Sequence, residues 1–172
     1  MKRILCFLFA AVVLLSVGCK KKESYEKFRI GKVMAFAEAV SPSEDQKTGF
    51  YGFTADLFSS CEGDNKLFAP LPIYSALGMT VNGASGKTLE EMLSAMKGDV
   101  AAINALNLSA FKEVAQYADK TSVSLANSVW IRNDYGAYVK DEYLNQLAAY
   151  YSPEIFSLPC DDKALKLINN WA

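Results

Sequence analysis

The chain has 172 residues, 51% hydrophobic and 22% charged, with 18 basic and 19 acidic side chains and a formal net charge of −1. That balance excludes a polar disordered chain, predicts a globular protein with one domain as the default, and excludes the basic footprint of a nucleic-acid partner. There is no histidine, which excludes Ser-His and Cys-His nucleophilic machinery and removes the commonest zinc ligand.

Residues 1–19 read as an export leader. Lys2 and Arg3 form a positive start, and Ile4 to Val17 is an apolar stretch of 14 residues, shorter than the roughly 20 that a spanning helix needs. Gly18 then places a small residue before Cys19. This order resembles a bacterial lipoprotein signal, with Ser16 where such signals usually carry leucine. The resemblance implies that Cys19 is lipidated and anchors an exported protein to a membrane, facing the periplasm or the cell exterior. A plain cleaved leader and an uncleaved anchor are the alternatives.

Lys20 to Ser24 reads as a solvated, charged spacer, and Ile30 to Ala39 has no clean period and is left unassigned. The Ser, Pro and charge of Ser41 to Thr48 predict a polar loop at a domain boundary. Residues 20–49 are therefore expected to be a tether and residues 50–172 the folded domain. Of the four cysteines, Cys61 and Cys160 fall in that domain. Sequence does not decide whether they pair, and two thiols do not make a structural zinc site.

Phe50, Phe53, Leu57 and Cys61 recur at helical spacing, a first helix stopped by Gly63. Leu67-Phe68-Ala69 is a short apolar run that predicts a buried strand, ended by Pro70 and Pro72, with Pro72 suited to a first helical turn. Ile73, Ala76, Leu77, Thr80 and Val81 then give one mostly apolar helical stripe. After Asn82 to Gly86 breaks the helix, Thr88-Leu89-Glu90-Glu91 predicts a capping box, and Leu89, Met92, Leu93 and Met96 supply the next buried face. Asp99 is expected to cap a further helix with Ile103, Leu106, Ala110, Val114 and Tyr117 inward. Asn104, Asn107, Lys112 and Gln116 are read as its polar outer face. Lys112 alone makes no polyanion patch, and the sequon at Asn107-Leu108-Ser109 reads as incidental.

Ser122 to Ile131 alternates with apolar residues on both sides, a strand covered on both faces, in which Asn127 needs a hydrogen-bond partner. Asn133 to Gly136 is a turn. Val139, Tyr143, Leu147 and Tyr150 form the stripe of the next helix, Ile155 to Leu158 a short strand, and Asp161 or Asp162 the cap of a last helix carrying Leu165, Ile168 and Trp171. Gly86-Lys87-Thr88 is no phosphate loop, because Val81 stands where the first glycine belongs. The acid pairs Glu90-Glu91 and Asp161-Asp162 sit in first helical turns, where the macrodipole accounts for them. No residues form a catalytic constellation, so an enzyme is not expected, nor is a cofactor or a metal.

Phe68, Pro70, Leu71, Ile73, Ala76, Leu77, Met79, Gly83, Ala84, Gly86, Thr88 and Glu91, followed by Leu125 to Ile131 and by Ile168-Asn169-Asn170-Trp171, stand in an order that resembles the N-terminal part of the serpin family. The resemblance implies an α+β fold, many helices with a β-sheet, in which these residues are scaffold. It also implies a serine-type endopeptidase inhibitor acting outside the cytoplasm on a serine or cysteine protease, through a bait loop near the C-terminus that inserts into the main sheet after cleavage. Ala69 and Pro72 depart from serines that hydrogen-bond beneath that sheet in the family, so a serine-free version of that centre is expected. The last helix carries no Gly or Pro stop, which predicts a chain truncated before the C-terminal half and the reactive loop, and not inhibitory alone. A non-inhibitory, lipid-anchored binding or structural module is the alternative.

Overall fold

The structure, a computed structural model, describes residues 26–27, 37–38, 41–116 and 125–172. The leader with Cys19, the spacer Lys20 to Ser24, Tyr117 and Ser122 to Ser124 lie outside the described residues.

The expected boundary loop is partly helix. Ser43 accepts a hydrogen bond from the Gln46 amide while the Gln46 side chain accepts one from the Ser43 amide, a reciprocal cap. Helix α1 accordingly runs Glu44–Ser60 and places Glu44 and Asp45 in its first turn, where the macrodipole favours them. Phe50, Phe53 and Leu57 face the core as expected, and Cys61 is the C-cap.

The strand expected at Leu67 to Ala69 does not form. Residues 61–69 are irregular, Leu67 is 100% exposed, and Phe68 meets only the Phe58 ring among the described aromatic residues. A three-residue apolar run gains no ladder without a neighbouring strand. Helix α2 spans Pro70–Val81 with proline in its first turn. Of the expected stripe, Val81 is buried and Leu77 packs on the core, but Ile73, Ala76 and Thr80 are outside, and Tyr74, Ser75, Gly78 and Met79 are inside instead.

Helix α3, Gly86–Met96, starts after an extended Ser85. The expected capping box is absent because the helix begins before Thr88, and Glu91 pairs instead with Lys87 at 3.5 Å. Leu89, Met92, Leu93 and Met96 do pack on the core. Asp99 accepts from the Ala102 amide at 2.7 Å, capping helix α4, Val100–Gln116. Together Phe53, Tyr74, Val81, Met96, Ile103 and Leu106 make the largest helical core.

The second half is a small sheet. Strand β2, Ser128–Arg132, is shorter than the expected Ser122–Ile131, since residues 125–127 are irregular. A 3₁₀ turn, Asn133–Tyr138, leads to helix α5, Asp141–Tyr150, and then to strand β3, Glu154–Leu158. β2 and β3 are parallel, with Val129 opposite Ile155 and Ile131 opposite Ser157. Ile131, Leu144 and Ile155 pack on one face of the sheet, while Trp130 stacks on Phe156 at 4.4 Å on the other. Helix α6, Asp162–Trp171, is capped by Asp161 and sends Trp171 to the edge of the Trp130 ring. Strand β1, Glu26–Lys27, adds antiparallel to β3, giving the order β1-β3-β2.

Candidate functional site

The C-terminus of α5 is where the helical half meets the sheet. A helix end leaves its last carbonyl groups without partners inside the helix. Here the Leu147 carbonyl accepts from the amides of Tyr151 and Ser152, at 2.9 and 3.1 Å. The carbonyl groups further on are satisfied from other parts of the chain. Asn107 of α4 donates to Tyr150 at 2.8 Å, and Asn127, just before β2, donates to Tyr151 at 2.9 Å. The upstream Ala37 amide donates to Ala149 at 3.2 Å. Asn127 thus has the partner its place in an apolar stretch demanded, and its own carbonyl accepts the Glu154 amide at 2.9 Å, bringing β3 alongside.

A second layer of polar groups lies behind these. The Ser75 hydroxyl donates to the Asn107 side chain. Asn82 and Asn104 exchange hydrogen bonds at 2.8 and 3.0 Å, and the Tyr151 hydroxyl donates to the Asn104 oxygen at 2.6 Å. Asn104 and Asn107 are 4% and 2% exposed, so they are not the polar outer face that the sequence predicts. Burial without partners would cost each amide about 1–3 kcal/mol, and the network supplies those partners. Burial also pushes the Tyr151 hydroxyl well above the ordinary tyrosine range and the Tyr74 hydroxyl up to about 12. Both hydroxyls therefore keep their protons at any physiological pH. Gly78 permits the approach: a side-chain carbon there would stand 2.5 Å from the Tyr151 hydroxyl oxygen.

A cavity of about 50 Å³ opens beside this network, lined by Leu71, Pro72, Ser75, Asn107, Leu125 and Asn127. Its wall holds Pro72 and, one helical turn on, Ser75, whose hydroxyl is bonded to Asn107. Ala69 makes no side-chain cap. The arrangement locks helices to a sheet and carries no nucleophile beside a base. Among the described residues no three acidic or cysteine side chains converge on a metal position, and no helix is long and apolar enough to cross a membrane. Cys61 and Cys160 are free thiols. Lys112, a lone cation by sequence, donates to the Ala37 carbonyl at 3.3 Å.

Ser75, Asn82, Asn104, Asn107 and Tyr151 were not singled out by pattern as site residues. One signal was present: α4 carries no charged side chain from Val100 to Phe111, and a helix without a charged face buries more than one narrow stripe.

The family model described as Serpin (serine protease inhibitor) matches residues 50–172. Neuroserpin of Mus musculus is 35% identical over 101 residues, covering 55% of this chain and 23% of that protein. Neuroserpin of Gallus gallus is 28% identical over 147 residues, covering 77% and 35% respectively. The chain thus spans about a quarter to a third of the length of these relatives. Among solved structures, the thermophilic serpin tengpin in its latent state superposes with a TM-score of 0.68 at 27% identity, over 78% of this chain and 37% of that one. Its native state gives 0.60 at 25% identity.

Proposed function

The chain belongs to the serpin family, and from that premise we propose that it is the scaffold of a serine-type endopeptidase inhibitor that works outside the cytoplasm. The observation that carries this reading is the family match across residues 50–172, together with the likeness of the helix-and-sheet architecture to tengpin. Its partner is a serine or cysteine protease, met as an inhibitor and not as a fellow enzyme. The buried network around Asn107 and Tyr151 has the role of a joint between helices and sheet and does no chemistry on a substrate.

The residues present supply scaffold, and the bait that a protease would cleave is not among the elements described. The 172-residue chain by itself therefore forms no covalent complex. Titration against chymotrypsin-like, subtilisin-like and papain-like proteases should leave protease activity unchanged and give no denaturant-resistant band. A band at near-equimolar ratio would place a bait within these residues and overturn this part of the reading.

The second part of the proposal is that Cys19 carries a lipid and holds the protein at a membrane. What supports it is the order of charge, apolar stretch, Gly18 and Cys19 in the sequence. The exported protein should incorporate labelled fatty acid and partition into detergent, and Cys19→Ala should abolish both. Labelling that survives the substitution would mean the leader is of another kind.

A further inference from the structure

Two described pieces of chain upstream of the family region are docked on it. Glu26 and Lys27 form β1 and pair with Ser157 and Phe156 on the outer side of β3. Further along, the Ala37 amide donates to the Ala149 carbonyl, one of the orphan groups at the end of α5, and the Ala37 carbonyl accepts from Lys112 of α4. The second foothold is independent of the first: it uses different elements and satisfies a helix terminus that needs a donor.

The chemistry of the two edges shows what this arrangement changes. β3 reads Glu154-Ile-Phe-Ser-Leu158, with Ile155, Phe156 and Leu158 buried. An apolar five-residue strand of that kind, left as an outer edge, is a template on which another chain can pair. With β1 in place the outermost strand on that side is two residues long and reads Glu-Lys. Short length and charge are the means by which proteins blunt an edge.

We propose that strand β1, Glu26–Lys27, which precedes the family region, is an intramolecular cap on β3. Its occupant is this chain's own Glu26–Lys27 strand, steadied by Ala37 at the end of α5, and it bars strand addition by a second chain. Glu26–Lys27 and Ala37 are thus part of the folded unit. The proposal stands without the lipid reading of Cys19.

Disulfide trapping tests it in the full exported chain with Cys61→Ser and Cys160→Ser. Facing residues of an antiparallel pair have Cα atoms about 4.5–5.5 Å apart, within the range a disulfide spans. Glu26→Cys with Ser157→Cys should therefore oxidise to a disulfide within one molecule, with complete loss of those two thiols by peptide mass mapping. Glu26→Cys with Arg132→Cys, placed across β3 on β2, should stay reduced. Adding Ala37→Pro, which removes the donor to Ala149, should slow closure of the first pair. In parallel, a labelled peptide of residues 22–38 should bind in trans to the Ala37→Pro chain and not to the intact one. The cap is overturned if the 26/157 pair closes no faster than the 26/132 control, or if the intact chain takes up the peptide as readily as the variant.

Discussion

Asn107 spans three elements: it sits on α4, accepts from Ser75 of α2 and donates to the Tyr150 carbonyl at the end of α5. Replacing it with alanine orphans a buried hydroxyl and a helix-terminal carbonyl at once. At about 1–3 kcal/mol for each buried group left unpaired, Asn107→Ala should lower the melting midpoint of the chain clearly. Ser75→Ala, which leaves the carbonyl bond intact, should cost less. Equal midpoints for the two variants would mean the Asn107 amide is not holding α5. The same buried position excludes Asn107 from use as a glycosylation acceptor, as the helical setting of its sequon predicts.

Tyr74 and Tyr151 give the residue scale a pH signature. In the folded chain burial raises both hydroxyls, Tyr74 to about 12, whereas an unfolded tyrosine titrates near 10. Below about pH 10 both states hold the proton and these groups add no pH dependence. Above it the unfolded chain releases protons that the folded chain retains, so stability falls as pH rises towards 12. Alkaline unfolding followed by circular dichroism should show that loss. In Tyr151→Phe the alkaline slope should be shallower, although the variant loses the bond to Asn104. An unchanged slope would show that Tyr151 ionises as freely as an exposed tyrosine.

Asn127 was legible in the sequence and Asn104 and Asn107 were not, for a physical reason. Read as part of an alternating strand with apolar residues on both sides, Asn127 had to find a partner whichever way it faced, and it does so from the irregular residues just before β2. On a helix the faces shade into one another. The stripe of α4 through Ile103 and Leu106 is inside as read, but Asn104 and Asn107 beside it are inside too. Ser75 and Gly78 hid the true face of α2 in the same way, because a small or polar residue at a buried position looks like surface until its partner is known.

At the level of elements, the close seat of α1 on the end of α3 rests on glycine. A side-chain carbon at Gly49 would lie 2.3 Å from the Lys97 carbonyl oxygen, whereas one at Gly52 would meet only the Lys97 side-chain end, at 2.7 Å. Alanine gains up to about 1 kcal/mol of helix propensity at either site. Overpacking against rigid backbone costs about 1–3 kcal/mol, so the clash wins at residue 49. Gly49→Ala should therefore lower the denaturation midpoint and Gly52→Ala should leave it equal or higher, since Lys97 can swing aside and give up only its exposed ion pair with Asp56. The reverse order would show that α1 is not seated on Lys97.

Long periodic helices were readable here, and short features were not. Phe50, Phe53 and Leu57 announced α1, and Tyr143, Leu147 and Tyr150 announced α5, whereas Val139, read into the same stripe, lies ahead of the helix. The run Leu67 to Ala69 had no length to show a period, and the Thr88–Glu91 box matched a pattern whose helix had already begun at Gly86. The start of α1 at Glu44 was missed because a Ser-Pro-Ser stretch reads as loop. Yet Ser43 with Gln46 three residues later is itself a start signal.

At the scale of the whole molecule, the helices and the sheet are two packed units joined at the end of α5. α6 leaves Leu165 64% exposed, with Ile168 and Trp171 half-buried, and no residue of it is buried. Such an amphipathic helix presents an apolar stripe that the described residues do not cover. With the proposed anchor and cap together, residues 20–25 separate Cys19 from β1. At 3.3–3.6 Å per residue they reach at most about 25 Å, which would hold the β3 side of the sheet near the membrane.

The central claim is that these residues are a serpin scaffold able to support protease inhibition. It is tested most directly by joining Ala172 to the remainder of tengpin from the equivalent position and mixing the purified, cooperatively melting chimera with a chymotrypsin-like or subtilisin-like protease. The reading predicts a protease complex that survives boiling in detergent, formed near equimolar ratio. It also predicts that the 172-residue chain alone forms none. A chimera that folds and melts cooperatively but is only cleaved, or that leaves every protease untouched, would contradict it.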